Sequence, residues 1–131
     1  MSEAGSQAPR TSAAPAWLLA AGCALVLFGI GSIPRVSAGP AVPGLDKLAH
    51  ALMYAVLGGA TARASRRSGH AVPVAHGLGL LAALLTGGLD ELHQQWVPGR
   101  SAEVADIVAD VIGGALGAAA YLWWTRAAAA D

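Results

Sequence analysis

GGLDELHQQWVPGRSAEVADIVADVIGG, residues 87–114, holds five carboxylates and one arginine between runs apolar enough to be membrane spans. Charge is expensive in hydrocarbon: an ionised side chain near the bilayer centre costs about 2.5–3.5 kcal/mol on insertion scales. Either the flanking runs are not spans, or these charges face something other than lipid. The rest of the chain decides between the two.

The 131 residues allow a single domain. They are 55% hydrophobic and 12% charged, about half the charged share of an ordinary soluble domain. Eight basic and eight acidic residues cancel, so a basic nucleic-acid-binding surface is excluded. Cys23 is the single cysteine, which rules out an internal disulfide or a cysteine-based metal centre. It is read as a buried small residue.

Four apolar segments stand out, at about 16–33, 45–62, 72–94 and 103–124. Each is close to the roughly 17–25 residues a spanning helix needs. None alternates with period two, so a barrel is not indicated. Pro34, the GPAVPG run at 39–44 and Pro98-Gly99 mark breaks, and the RASRRSGH run at 63–70 marks another. Short connectors favour antiparallel neighbours. A soluble bundle is a poor fit, because the segments lack a polar face wide enough for water. The expected fold is all-α: a polytopic membrane protein, an antiparallel bundle of four transmembrane helices. Residues 1–15 are read as a disordered cytoplasmic tail, and 125–131 as a second cytoplasmic tail.

With the N-terminus inside, Arg10, Arg63, Arg66, Arg67 and Arg126 fall on the cytoplasmic side, against Arg35, Lys47 and Arg100 outside. The positive-inside rule then puts both termini in the cytoplasm. Val36-Ser37-Ala38 would serve as a signal cleavage site. However, the first apolar run exceeds the usual core of a cleaved leader, so an uncleaved span is expected.

This topology gathers the charges at the outer side. Asp46, His50 and Tyr54 recur every four residues, a stripe descending about 12 Å along one helix face. Lys47 stands beside it. Gly87, Asp90 and Gln94 share a face of the third segment, with Glu91 next to them. Asp106 and Asp110 continue into Gly113 and Gly117 on the fourth segment, with Glu103 at the flank. Small residues let helices approach closely, so the polar face of the fourth segment is expected to be its packing face. Simpler roles exist for single residues: Asp46 as a cap for the second helix, Ser101 as a cap for the fourth, Lys47 as a snorkelling side chain. His70 and His76 are given no role.

The pattern resembles a known family. Asp46-Lys47, His50 and Tyr54 in DKLAHALMY look like the first signature of the VanZ-like membrane proteins. Asp90-Glu91, Gln94, Trp96 and Arg100 in DELHQQWVPGR look like the second, and Asp106 with Gly113 and Gly117 in DIVADVIGGALG completes the set. The resemblance spans about residues 45 to 117. It departs at Asp110, where the family usually has asparagine. What it implies is a small polytopic bacterial membrane protein; the family's namesake is linked to resistance to the glycopeptide antibiotic teicoplanin.

Several functions stay open. Asp46, Lys47, His50, Tyr54, Asp90, Glu91, Gln94, Arg100, Asp106 and Asp110 form the candidate binding site. Lys47, Arg100 and His50 would meet a phosphate, so an anionic head group of a membrane lipid or a lipid-linked cell-envelope precursor would suit it. The same acids and the histidine also have the capacity for hydrolysis or transfer. No recognised nucleophile or His-Glu-x-x-His metal motif is present, so no catalytic residue, metal ligand or cofactor is assigned. A proton- or ion-coupled carrier, aided by oligomerisation, is a third reading. The bland alternative is a structural ion-pair cluster that pins the helices in register.

Overall fold

The structure, a computed structural model, describes residues 12–35 and 42–130. It contains four helices: α1 (Ala14–Gly31), α2 (Leu45–Arg67), α3 (Val72–Gln94) and α4 (Val104–Ala127). No strand occurs among the described residues. Most of the N-terminal tail with Arg10, the candidate cleavage site at 36–38 and Asp131 lie outside the described residues. α1 starts at Ala14, two residues inside the segment expected to be tail, with Pro15 in its first turn. Proline suits that position because the amide it lacks would have no helical partner there.

Hydrogen bonds at the helix ends fix the directions. Trp17 Nε1–H at the start of α1 donates to Ser68 Oγ just past the end of α2, at 2.9 Å. Arg100, between α3 and α4, donates to the Ile30 and Ile33 carbonyls at the end of α1. Lys47 at the start of α2 meets Glu103 and Asp106 at the start of α4. Successive helices therefore run antiparallel, while α2 and α4 run the same way and pack side by side. α2 touches all three other helices, whereas α1 touches α2 and α3 but not α4 among the described residues.

The α2–α4 contact is backbone against backbone. A Cβ on Gly113 would run into the Ala51 carbonyl oxygen, one on Gly117 into that of Ala55, and one on Gly58 into that of Gly114. Gly113-x-x-x-Gly117 thus lies against Ala51-x-x-x-Ala55, a small-residue seam of the kind that replaces hydrophobic driving force between helices in lipid. α3 closes the triangle, with Gly79 against the Gly58 carbonyl and Ala118, and Ala83 against Gly114.

The outer surface is apolar. Val104, Val108, Ile112 and Leu116 are exposed along one side of α4, while Asp106, Asp110, Gly113 and Gly114 are buried on the other. The polar face of α4 is therefore its packing face. α1 exposes Leu18, Leu19, Leu25 and Val26. Cys23, expected to be buried, is only half-buried, against the Leu27, Tyr54, Leu57 and Ala83 cluster.

Three helices, α1, α3 and α4, are long and apolar enough to cross a membrane. α2 has the length, 23 residues, or about 34 Å at 1.5 Å per residue. Its composition falls short, because Asp46, Lys47, Arg63, Arg66 and Arg67 dilute it. The helix at the centre of the bundle has the most protein around it and so the least need to be apolar throughout. Its one broad apolar face, Leu45, Leu48, Leu52 and Val56, is turned outward.

Candidate functional site

The parallel course of α2 and α4 sets their charged first turns side by side. Lys47 Nζ lies 2.5 Å from Asp106 Oδ1, 2.6 Å from Glu103 Oε2 and 3.1 Å from Asp46 Oδ2. An ammonium has three donors and all three meet carboxylates. Glu103, just before α4, is exposed, and the Lys47 ammonium bonded to it holds its carboxyl below the usual carboxylate range. No side chain caps α2 or α4: Gly44 and Glu103 occupy the capping positions rather than Asp46 and Ser101. Gly44 does so at φ 79°, which glycine adopts without strain.

One turn deeper, His50 Nδ1 is 2.9 Å from Asp110 Oδ1, and both side chains are buried. Tyr54 lies a further turn down, 1% exposed. α3 contributes Asp90, whose Oδ2 accepts from Gln94 Nε2 at 2.8 Å, and Glu91, whose Oε2 accepts the Glu103 backbone N–H at 2.7 Å. Tight glycines bring these groups in. A Cβ on Gly87 would meet the Asp110 side chain, and one on Gly31 the Asp90 carboxylate. Among the described residues, Tyr54 Oη, Asp90 Oδ1, Glu91 Oε1 and Asp110 Oδ2 are buried without a hydrogen-bond partner, and Asp106 Oδ1 has the Lys47 ammonium beside it. Leaving such atoms unpaired costs about 1–3 kcal/mol each. His50, Glu91 and Asp106 also bring ligand atoms within 4.8 Å of one another.

A cavity of about 100 Å³ opens where α1, α2 and α3 meet. Asp46, His50, Tyr54, Asp90, Gln94 and Arg100 line it, together with Arg35. At water's share of roughly 30 Å³ in the liquid, it has room for a few waters or one group the size of a phosphate. Arg100 donates from Nε to the Ile33 carbonyl just past α1 at 3.3 Å, and from Nη2 to the Ile30 carbonyl in its last turn at 3.0 Å. Among the described residues, neither it nor Arg35 forms a salt bridge with a carboxylate. Burial and the like charge of Arg35 push the Arg100 guanidinium below its ordinary value.

The ten residues singled out from sequence converge at one end of the bundle, in two layers. Asp46, His50, Tyr54, Asp90, Gln94 and Arg100 face the cavity. Lys47, Glu91, Asp106 and Asp110 lie behind, between α2, α3 and α4. Lys47, expected to meet a phosphate, is instead enclosed by carboxylates. Arg35 was missed as a site residue. It follows α1 in a stretch with no periodicity, and its seat depends on the Pro98-Gly99 turn. Gly99 has φ 76°, and a Cβ there would strike the Arg35 carbonyl oxygen. His93, at the same depth in sequence, packs its ring on Phe28 at 4.8 Å between centroids.

A family model described as VanZ/LLP1 matches residues 8–125. No curated protein and no solved structure matches the chain.

Proposed function

The chain belongs to the VanZ/LLP1 family, and on that footing we propose that this multi-pass membrane protein binds an anionic head group at the charged end of its bundle. One observation carries the reading: Arg35 and Arg100 stand together at the cavity with no carboxylate partner among the described residues, while Lys47 and His50 nearby are paired. Two guanidiniums held close repel each other, and a phosphate between them relieves that repulsion while accepting bidentate bonds. The cavity's size admits the phosphate and leaves any sugar or peptide portion outside. Gln94 and Tyr54 are neutral groups on the wall that can meet it.

The basic residues support an orientation. Arg66, Arg67 and Arg126 gather at the opposite end, so the positive-inside rule turns the cavity to the outer leaflet of the bacterial cytoplasmic membrane, with both termini in the cytoplasm. The occupant is then a membrane lipid or a lipid-linked cell-envelope precursor. A second reading has its own support: the Lys47 cluster bridges α2 and α4, which suits a clamp holding helix register. The two are compatible, because clamp and cavity use different residues apart from Asp46.

Native mass spectrometry of gently purified protein tests the head-group reading. Wild type is expected to retain phospholipid or a polyprenyl-linked phosphate. Arg35→Gln, at an exposed side chain, is expected to lose it with no change in melting temperature. Lipid retention equal to wild type in both Arg35→Gln and Arg35→Gln/Arg100→Gln would sink the proposal.

A further inference from the structure

We propose that His50, Glu91 and Asp106 form a divalent-cation site between α2, α3 and α4, suited to Mn²⁺ or Zn²⁺. The three offer ligand atoms within 4.8 Å of one another, and their residues are 7%, 3% and 7% exposed. Two ligands at ~2.1 Å from a common ion are at most ~4.2 Å apart, so small side-chain adjustments close the set.

Each ligand is already steadied by one atom and left with another. His50 is held through Nδ1 by Asp110, which leaves Nε2 as the free ring nitrogen. This is the carboxylate–histidine arrangement that fixes tautomer and ring orientation for a metal. Glu91 is held through Oε2 by the Glu103 N–H, while its Oε1 is buried with no protein partner. Asp106 Oδ1 is buried, with the Lys47 ammonium beside it, and the ion would share that carboxylate with Lys47. The Oε1 of Glu91, unpartnered among the described residues on a residue 3% exposed, points independently to a ligand here.

Charge balance agrees. Asp46, Asp90, Glu91, Glu103, Asp106 and Asp110 surround one end of the bundle, against Lys47, Arg35 and Arg100 as permanent cations. Lys47 serves the outer carboxylates and cannot reach beyond its three partners. One imidazole with two carboxylates is a mixed nitrogen–oxygen set, which suits Mn²⁺ or Zn²⁺ better than Ca²⁺. The set is spread over three helices, which is why no local motif announced it.

The site does not rest on the head-group reading, and its test uses metal alone. Protein purified in detergent and stripped with EDTA is titrated with Mn²⁺, followed by loss of the free-ion EPR signal, and separately with Zn²⁺, followed by metal content after desalting. One ion per chain is expected. Asp110→Asn keeps an acceptor for Nδ1–H but drops its charge, and is expected to weaken binding about 10-fold, the low end for an outer-shell change. Glu91→Gln removes a ligand at constant volume and is expected to weaken it by more than that. Folding of each variant is read by circular dichroism, and if Glu91→Gln unfolds, Asp110→Asn decides. Absence of a bound ion in wild type would overturn the proposal. So would undiminished binding in a folded Glu91→Gln or Asp110→Asn, or binding of Ca²⁺ with neither Mn²⁺ nor Zn²⁺.

Discussion

The two halves of this bundle hold the same helices together by opposite means. At the start of α2 and α4, contact runs through Lys47 and its carboxylates and through His50 and Asp110. From Gly58 and Gly114 onward it runs through bare backbone and alanine: Ala62, Ala75 and Ala118 are fully buried, with Leu122 beside them. The polar groups of the second half satisfy themselves locally, as Thr61 Oγ1–H does on the Leu57 carbonyl. Of its arginines, Arg66, Arg67 and Arg126 are exposed and Arg63 is half-buried. The first half turns its ions inward, the second outward. Close packing is the cheaper way to join helices in lipid, and the buried ions of the first half are the costlier one.

Breaking the second half should cost most. Gly117→Val sets side-chain atoms against the Ala55 carbonyl, and backbone cannot swing aside. A loss of about 3 kcal/mol or more is expected, at the top of the range for overpacking, read as failure to recover folded protein in detergent. Gly88→Ala is the control: nothing lies within 4 Å of its Cβ, and helix propensity predicts a gain of about 0.5–1 kcal/mol.

Breaking the first half should cost less. Lys47→Ala leaves Asp106 buried beside Glu103 and Asp46 without their shared cation. A fully buried pair broken this way costs about 3–5 kcal/mol; the Lys47 side chain is 29% exposed, so about 2 kcal/mol is expected. A double-mutant cycle with Asp106→Ala isolates the coupling. At the other end, Arg66→Gln should move the melting temperature by the equivalent of no more than about 0.5 kcal/mol, since Arg66 is exposed.

The smallest effect is the pH response of Glu103. Its folded carboxyl titrates below the unfolded value of about 4.3. Its contribution is therefore fully present above that value and fades as pH falls through the folded one. Comparing melting temperatures of wild type and Glu103→Gln from about pH 6 to about pH 3 should show a modest gap that closes at the acid end. A gap that widens instead would mean that Lys47 is not the partner.

Much of this was written in the chain. α3 begins and ends where the apolar run from Val72 to Gln94 does, because proline at its start and the polar HQQWVPG stretch at its end are both local signals. The convergence of Asp46, His50, Asp90, Asp106 and Asp110 also followed from helical spacing once the spans were set antiparallel. What spacing could not supply was lateral order. Nothing local says that α2 and α4 are neighbours while α1 and α4 are not; that depends on which glycines meet which alanines. α2 continues to Arg67, past the end of its apolar run, because arginine is a good helix former and needs no hydrocarbon at a helix terminus. Arg35 was out of reach for a related reason: its seat is made by a turn at Gly99, 64 positions further along the chain.

The Arg100 bonds to α1 also carry a consequence for how the protein is made. α1 leaves the ribosome first, yet the residue that ties down its end arrives 67 to 70 positions later. α2 likewise waits 60 positions for Asp110 to meet His50. Until α4 enters, His50 stands in α2 without Asp110, and Lys47 has only Asp46 of its three carboxylates. Insertion of α4 is therefore the step that locks the chain, and a translocon or chaperone releasing the bundle early would release it unlocked.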